Sequence, residues 1–257
     1  MSFRHVSLRV EDRVGWLEFN RPPINAFHHE MLDDVEAALA QFLVDPAVRV
    51  VVLASALERM FSAGAELQAF RDMAPDTMRN WVAKVHGIAR QIRTARKPML
   101  AAIHGTAVGG GLEMTLHCDV RFAANDAKLG QPEINIAFIP PVATTQALPR
   151  LIGRPRALRY LYEGTLVTAQ EAMAMGLVDF VCPPEHLRPE VQKYAAALAK
   201  KPAEALAAIR HCIFAAEEDT WEAGLAVEAE EVVRLAETAD FSEGVRAFLE
   251  KRPAEFE

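Results

Sequence analysis

The chain has 257 residues, with 35 acidic against 28 basic side chains and a formal net charge of −7. Its apolar content of 51%, beside 25% charged residues, is that of a globular protein able to bury a sizeable core, as one large domain or a domain with a helical appendage. The acidic balance argues against diffuse nucleic-acid binding but leaves room for a local pocket that takes an anionic ligand. No apolar stretch is long enough to span a membrane, and neither a signal peptide nor a peroxisomal or lipidation signal is visible, so a cytoplasmic protein is expected. Cys118, Cys182 and Cys212 lack metal-ligand spacing and read as reduced, buried small hydrophobes.

Val6–Val10 and Val14–Phe19 predict a hairpin turning at Glu11-Asp12-Arg13. A Pro-rich turn over Asn20–Pro23 leads to a helix from about His28 to Val44, with apolar Met31, Leu32, Val35, Ala38, Leu39 and Phe42. The β-branched run Val48–Ala54 predicts a buried strand, followed by a turn over Phe61–Leu67 into a short helix. The polar segment 70–80 predicts the most mobile part of the chain. A helix is expected from about Asp76 to Thr94, then a strand over Met99–Ile103 that leads through a glycine-rich turn into a helix packed on most sides. Strands near Val120–Ala124 and Leu177–Val181 complete the expected sheet, and helices dominate from about Leu148 to the end. Repeated strand–turn–helix units with a helical tail predict an α/β (α+β) architecture, divided into a core over 1–195 and a helical region over 196–257.

The run from His104 to Met114 carries the chemistry: Gly109-Gly110-Gly111 stands directly before Leu112 and Glu113. Glycines at a strand-to-helix turn let a ligand approach the backbone, and helix-opening N–H groups are unpaired donors. Ser62-Ala63-Gly64-Ala65 has the same character. Two converging amides would form an oxyanion hole, in which each donor is worth about 3–4 kcal/mol of barrier. Tight packing of small residues would produce the same composition. Glu113 lies in a helix's first turn, where the macrodipole favours the ionised form. Glu133, in Leu129-Gly130-Gln131-Pro132-Glu133-Ile134, sits in a Pro-broken turn where burial would favour the neutral acid. Two carboxyl groups in different environments suit one base and one acid, although a helix-start charge and a turn-solvating acid would look alike.

Other chemistries find no support. The glycine run fits neither GxGxxG nor a phosphate loop, and GxSxG, HExxH and CxxC are missing. His104 and His117 bracket the glycine-rich segment and read as core or capping histidines before catalytic ones. Asp119 reads as the anchor of a turn.

In order along the chain, Asn20-Arg21-Pro22-Pro23-Ile24-Asn25-Ala26, Phe61–Glu66, His104-Gly105 with Gly109–Glu113, Cys118-Asp119, Gly130–Glu133, Leu148–Gly153, Ala169–Ala172 with Gly176-Leu177-Val178, and Glu243–Arg252 resemble the crotonase, or enoyl-CoA hydratase/isomerase, superfamily. That resemblance implies a spiral of ββα units with a C-terminal helical oligomerisation region, assembled as a homotrimer or homohexamer. It implies an acyl-CoA substrate, with coenzyme A carried on the substrate and no separate cofactor, no metal, and no nucleic-acid or membrane partner. The oxyanion-hole amides fall on Ala65 and Gly110, and the hydratase acids on Glu113 and Glu133, twenty positions apart. Retention of both acids favours hydration. Ala63, Gly64, Leu67, Gly109, Pro132 and Pro141 fall in the substrate region. Arg21 is a candidate for the CoA phosphates, and Phe248 and Lys251 match positions that approach CoA from a neighbouring subunit.

The sequence departs from that pattern after Pro140. Relatives continue with a glycine-rich stretch whose first N–H helps hold the attacking water, whereas this chain reads Pro140-Pro141-Val142-Ala143-Thr144-Thr145. Pro141 has no N–H to offer. The Pro-Pro variant resembles hydratases acting on cyclic dienoyl-CoA esters of aromatic degradation. A double-bond isomerase and a non-catalytic RNA-binding or scaffolding relative are the remaining alternatives, the RNA reading lacking any Lys/Arg cluster.

Overall fold

A computed structural model describes residues 3–71 and 73–256. The hairpin forms as expected: β1 (Val6–Glu11) pairs antiparallel with β2 (Val14–Phe19), and Asp12 and Arg13 both take left-handed backbone angles at the two-residue turn. Helix α1 (His29–Val44) follows, with His28 as its N-cap and Met31, Leu32, Val35, Ala38, Leu39 and Phe42 buried.

The rest of the core is a spiral. Strand β3 (Val50–Ser55) is followed by β4 (Met60–Ser62) and helix α2 (Pro75–Arg93), then β5 (Met99–Ile103), β6 (Thr106–Val108) and the short helix α3 (Gly110–Thr115). The third turn supplies β7 (Val120–Ala124), β8 (Lys128–Gly130) and a 3-10 helix over Pro132–Ile136. The first strand of each turn enters one sheet and the second strand enters another. The larger sheet contains β1-β2-β3-β5-β7 and, at its edge, β10 (Phe180–Cys182), parallel except for β1. The smaller sheet contains β4-β6-β8 and β9 (Leu166–Thr168), which is antiparallel to β8. Every residue of β3 and β5 is buried, as expected of central strands covered on both faces.

Five expectations need correction. The second sheet has no counterpart in the sequence reading, because three-residue strands are too short to display an alternation. Leu177 and Val178 are buried but belong to the turn after helix α6 (Ala169–Met175), so the last strand starts at Phe180 instead. Residues 75–80 lie in the first turns of α2, with Pro75 at its start, rather than in a mobile loop; Asp72 lies outside the described residues. Of the cysteines only Cys118 is buried, its thiol pushed up to about 12 by desolvation. Finally, the boundary drawn after residue 195 falls inside helix α7 (Pro184–Ala199), the nearest break being 200–202.

Helices α4 (Thr144–Ile152) and α5 (Arg154–Glu163) lead from the third spiral turn, and α8 (Ala203–Glu218), α9 (Trp221–Ala236) and α10 (Ala239–Glu250) form the tail. Asp119 anchors a turn, as expected: it accepts the Met99 N–H at 2.8 Å and pairs with the buried Arg210 of α8 at 2.8 Å. Arg210 also donates to the carbonyls of Ile92, Arg93 and Ala95, which fastens the tail to the core.

Candidate active site

The two small-residue turns meet at the mouth of one cleft. Phe27 and Ala65 form a parallel bridge, in which the Phe27 N–H donates to Gly64 O at 2.7 Å and the Glu66 N–H to Phe27 O at 2.8 Å. This pairing uses the groups on either side of Ala65 and turns its own N–H the other way; that N–H has no acceptor among the described residues. Gly110 opens α3, so its N–H is likewise free of the helix ladder. A β-carbon on Gly64 would lie 3.0 Å from Val108 O and 3.2 Å from Gly110 N, which shows how closely the loops abut. With φ at +79°, Gly64 also occupies a conformation that side chains disfavour.

The cleft encloses about 260 Å³ and is lined by Ala63, Gly64, Ala65, Leu67, Gly109, Gly110, Glu113, Pro132, Glu133 and Pro141. Ten of the thirteen site residues expected from the sequence are thus brought together. The deep wall, unrecognised in the sequence, consists of Phe27, Leu32, Trp81, Val85 and Met114, all of them buried. Leu67, largely exposed, lies at the rim together with Ile136.

The other three residues are elsewhere. The Arg21 guanidinium donates to Ala26 O at 2.7 Å and to both oxygens of Glu66 at 3.1 Å, so within one chain it braces the loop that carries Ala65. Phe248 is exposed on α10 and Lys251 is that helix's C-cap; neither lines the cleft.

Glu113 is fully buried. Its Oε2 accepts the Val142 N–H at 2.7 Å and the Thr144 hydroxyl, also at 2.7 Å, whereas Oε1 is buried with no partner. Burial first, and the neighbouring Glu133 second, push its carboxyl up to about 8. The expected ionised form is therefore disfavoured: desolvation of the charge outweighs the dipole of a six-residue helix. Glu133 behaves as expected, its carboxyl pushed up to about 7 by burial. Its Oε2 is a second buried oxygen without a partner. Both orphaned oxygens belong to cleft-lining residues, an arrangement suited to holding a water molecule between two carboxyl groups.

Neither flanking histidine lines this cleft. His117 Nε2 bonds Val142 O at 2.7 Å, and burial lowers the ring's pKa to about 4, which keeps it neutral. His104 Nε2 bonds Leu57 O. Val142, His117 and Thr144 thus support Glu113 without having been singled out for this in the sequence. No local signal could reveal them, since Thr144 is thirty-one residues from the carboxyl it contacts. Away from the cleft, His5, His28 and Glu30 cluster at the start of α1, where His28 Nδ1 already accepts the Met31 N–H as an N-cap.

A spiral of strand–strand–helix turns, with two unpaired amides beside a cleft lined by one buried and one half-buried acid, is the arrangement of the crotonase fold. An enoyl-CoA hydratase structure from Bacillus anthracis superposes with a TM-score of 0.93 at 33% identity, over 98% of this chain and 99% of that one. The enoyl-CoA hydratase/isomerase family profile matches residues 9–257, and the chain belongs to that family. It is 35% identical to a probable enoyl-CoA hydratase of Bacillus subtilis, over 98% of both chains. A crotonyl-CoA hydratase of Syntrophomonas wolfei is 34% identical over 100% of this chain and 99% of its own length.

Proposed function

We propose that the protein hydrates the α,β double bond of an enoyl-CoA thioester. The observation that carries this reading is the convergence, in one apolar cleft, of the unpaired Ala65 and Gly110 amides with the buried Glu113 and the half-buried Glu133. The amides would accept the thioester oxygen and stabilise the negative charge it gains as the enolate develops. The water oxygen bonds to the β-carbon while one water proton passes to Glu113 Oε1. The π electrons move toward the thioester, and the α-carbon takes a proton from Glu133. Returning that proton from Glu113 to Glu133 completes the cycle. General acid–base assistance of this kind contributes about 10²–10⁴-fold.

Ala63, Gly64, Leu67, Gly109, Pro132 and Pro141 would contact the substrate where they line the cleft. CoA enters as part of the substrate, and the proposed chemistry uses no metal and no other cofactor. Exposed Trp221, Val232, Val233, Phe248 and Leu249 on the tail helices offer apolar surface for a homotrimer or homohexamer. In such an assembly Phe248 and Lys251 would approach a CoA held by a neighbouring chain, and Arg21, on the loop that carries Ala65, is the candidate for the CoA phosphates. Among the described residues no helix is long and apolar enough to cross a membrane, and a cytoplasmic location is proposed.

The test is a panel of linear and cyclic enoyl-CoA esters, followed by loss of the conjugated-thioester absorbance in ¹⁸O-labelled water. Hydration predicts labelled hydroxyacyl-CoA from at least one ester. An unlabelled, double-bond-shifted product would identify an isomerase instead, and no turnover of any member would overturn the proposal.

A further inference from the structure

Pro141 cannot supply an amide hydrogen to the site, and the next residues of the same segment are committed to Glu113 itself. The Val142 N–H and the Thr144 hydroxyl both donate to Oε2. Between them Ala143 takes left-handed backbone angles (φ 54°, ψ 21°) as the N-cap residue of α4. A non-glycine residue pays for that conformation, so contacts elsewhere must hold it. Two contacts do so visibly: His117 fixes the Val142 carbonyl from one side, and the buried Thr144 side chain grips Glu113 from the other.

We infer that Thr144 is a positioning residue that, together with the Val142 amide, reserves Oε2 of Glu113 as an acceptor and confines the carboxyl's proton chemistry to Oε1. An sp² carboxyl oxygen has two lone-pair sites. Two donors at 2.7 Å occupy both on Oε2, so a proton arriving there would displace one of them. Oε1 has no partner and belongs to the cleft, which makes it the oxygen free to exchange a proton. Thr144 thus gives the carboxyl a defined orientation and favours its ionised form by donating to it.

The surroundings of Glu113 make this hydroxyl consequential. Glu133, from the 3-10 helix, is the titratable group that acts on it electrostatically, and it opposes ionisation. Glu66, on the turn bearing Ala65, is paired with Arg21. His117 is neutral and turned to Val142 O. The α1 and α2 side chains at the cleft are Leu32, Trp81 and Val85, and α3 contributes Met114. Among the described residues no cation offsets the burial of the carboxyl, and both favourable contributions come from the 142–144 segment.

The role of Glu113 as base rests on the proposed hydration, but the Thr144 assignment has its own readout. Thr144→Val removes the hydroxyl with little change of shape, and Thr144→Ser keeps it. The Glu113 carboxyl is followed by ¹³C NMR titration of the glutamate-labelled protein, with its signal assigned by Glu113→Gln. In T144V the titration is expected to move upward by about one pH unit, the scale of one hydrogen bond to a charged group. In T144S it should return to the wild-type position. The alkaline limb of kcat/KM for the best enoyl-CoA, set by the proton that Glu113 holds more tightly than Glu133, should move in the same direction, with KM changed less than kcat.

An unchanged Glu113 titration in folded T144V overturns the inference, whatever the activity. If T144V does not fold, T144A against T144S makes the same comparison. A moved titration in a protein that hydrates no enoyl-CoA would support the positioning role and sink the hydratase reading instead. Normal hydration with an unmoved titration would do the reverse.

Discussion

A β-carbon on Gly109 would lie 2.8 Å from Oε1 of Glu133, so the turn that opens α3 and the second acid fit against each other with no room for a methyl group. Gly109 also has φ 51° and ψ −136°, a combination that only glycine adopts readily. Gly109→Ala is therefore expected to displace the Glu133 carboxyl and tilt the neighbouring Gly110 amide. The expected result is a fall in kcat of about 10²-fold or more, with a modest loss of thermal stability. Steady-state kinetics beside a melting curve checks this. Wild-type kcat in the folded variant would show that the close fit has no catalytic consequence.

Glu113→Gln should be inactive yet more stable than the wild type in alkaline buffer. The Glu113 carboxyl is pushed up to about 8 in the fold from an unfolded value near 4.5. Between those values the folded state holds a proton that the unfolded chain has released, so stability falls as pH rises through this window. Glutamine keeps an acceptor for Val142 and Thr144 but carries no ionisable proton. The advantage of E113Q should be on the order of a few kcal/mol at pH 8 and should shrink toward pH 5. Denaturant unfolding at the two pH values measures it. Equal stability of the two proteins at pH 8 would contradict a buried, high-pKa carboxyl.

The hairpin, α1, α2 and the central strands of the large sheet were legible because each is long enough to show its own period. The two small-residue turns and both glutamates stood out only through their order within the whole family pattern, since each taken singly had an ordinary structural explanation. What the sequence hid was set by tertiary contact. The smaller sheet is made of three-residue strands that pair only across spiral turns, such as Met60 with Thr106 and Thr106 with Lys128. The protonated form of Glu113 is hidden in the sequence because its helix start is visible there and its complete burial is not. Thr144 carries no signal of its own in the sequence, since its one informative contact crosses from α4 to α3.

Trp81 should set the length of the acyl group that the cleft accepts. It is buried in the deep wall, edge-on to Phe70 and to His29 with ring centroids 5.0 Å apart in each case. A cavity of about 150 Å³ holds a benzene ring, so a cleft of 260 Å³ takes the reacting carbons and a short or cyclic acyl residue. Trp81→Leu removes ring volume while keeping the wall apolar. The ratio of kcat/KM for a ten-carbon enoyl-CoA to that for crotonyl-CoA is expected to rise about tenfold, the scale of one or two methylenes gaining a pocket. An unchanged ratio in the folded variant would place the end of the acyl site elsewhere.

The pH dependence of hydration should be a narrow bell displaced well above the ordinary carboxylate range. The proposed step needs one carboxyl ionised to take the water proton and the other neutral to protonate the α-carbon. Burial pushes Glu113 up to about 8 and Glu133 up to about 7, so the pair holds a single proton chiefly between those values; that proton rests mostly on Glu113, and the productive form, with Glu113 ionised and Glu133 protonated, is the minor of the two. Below about pH 7 both groups are neutral and the base is lost; above about pH 8 both are ionised and the acid is lost. A plot of kcat/KM from pH 5 to pH 9.5 should therefore peak near pH 7.5 and fall about tenfold per pH unit on each side. Glu133→Gln should lower the peak by at least 10²-fold and abolish the alkaline limb, because no second proton remains to be lost from the pair. A wild-type acidic limb at pH 4–5 would mean that the pair ionises as exposed carboxylates do, and an alkaline limb surviving in folded E133Q would remove Glu133 from the role of acid.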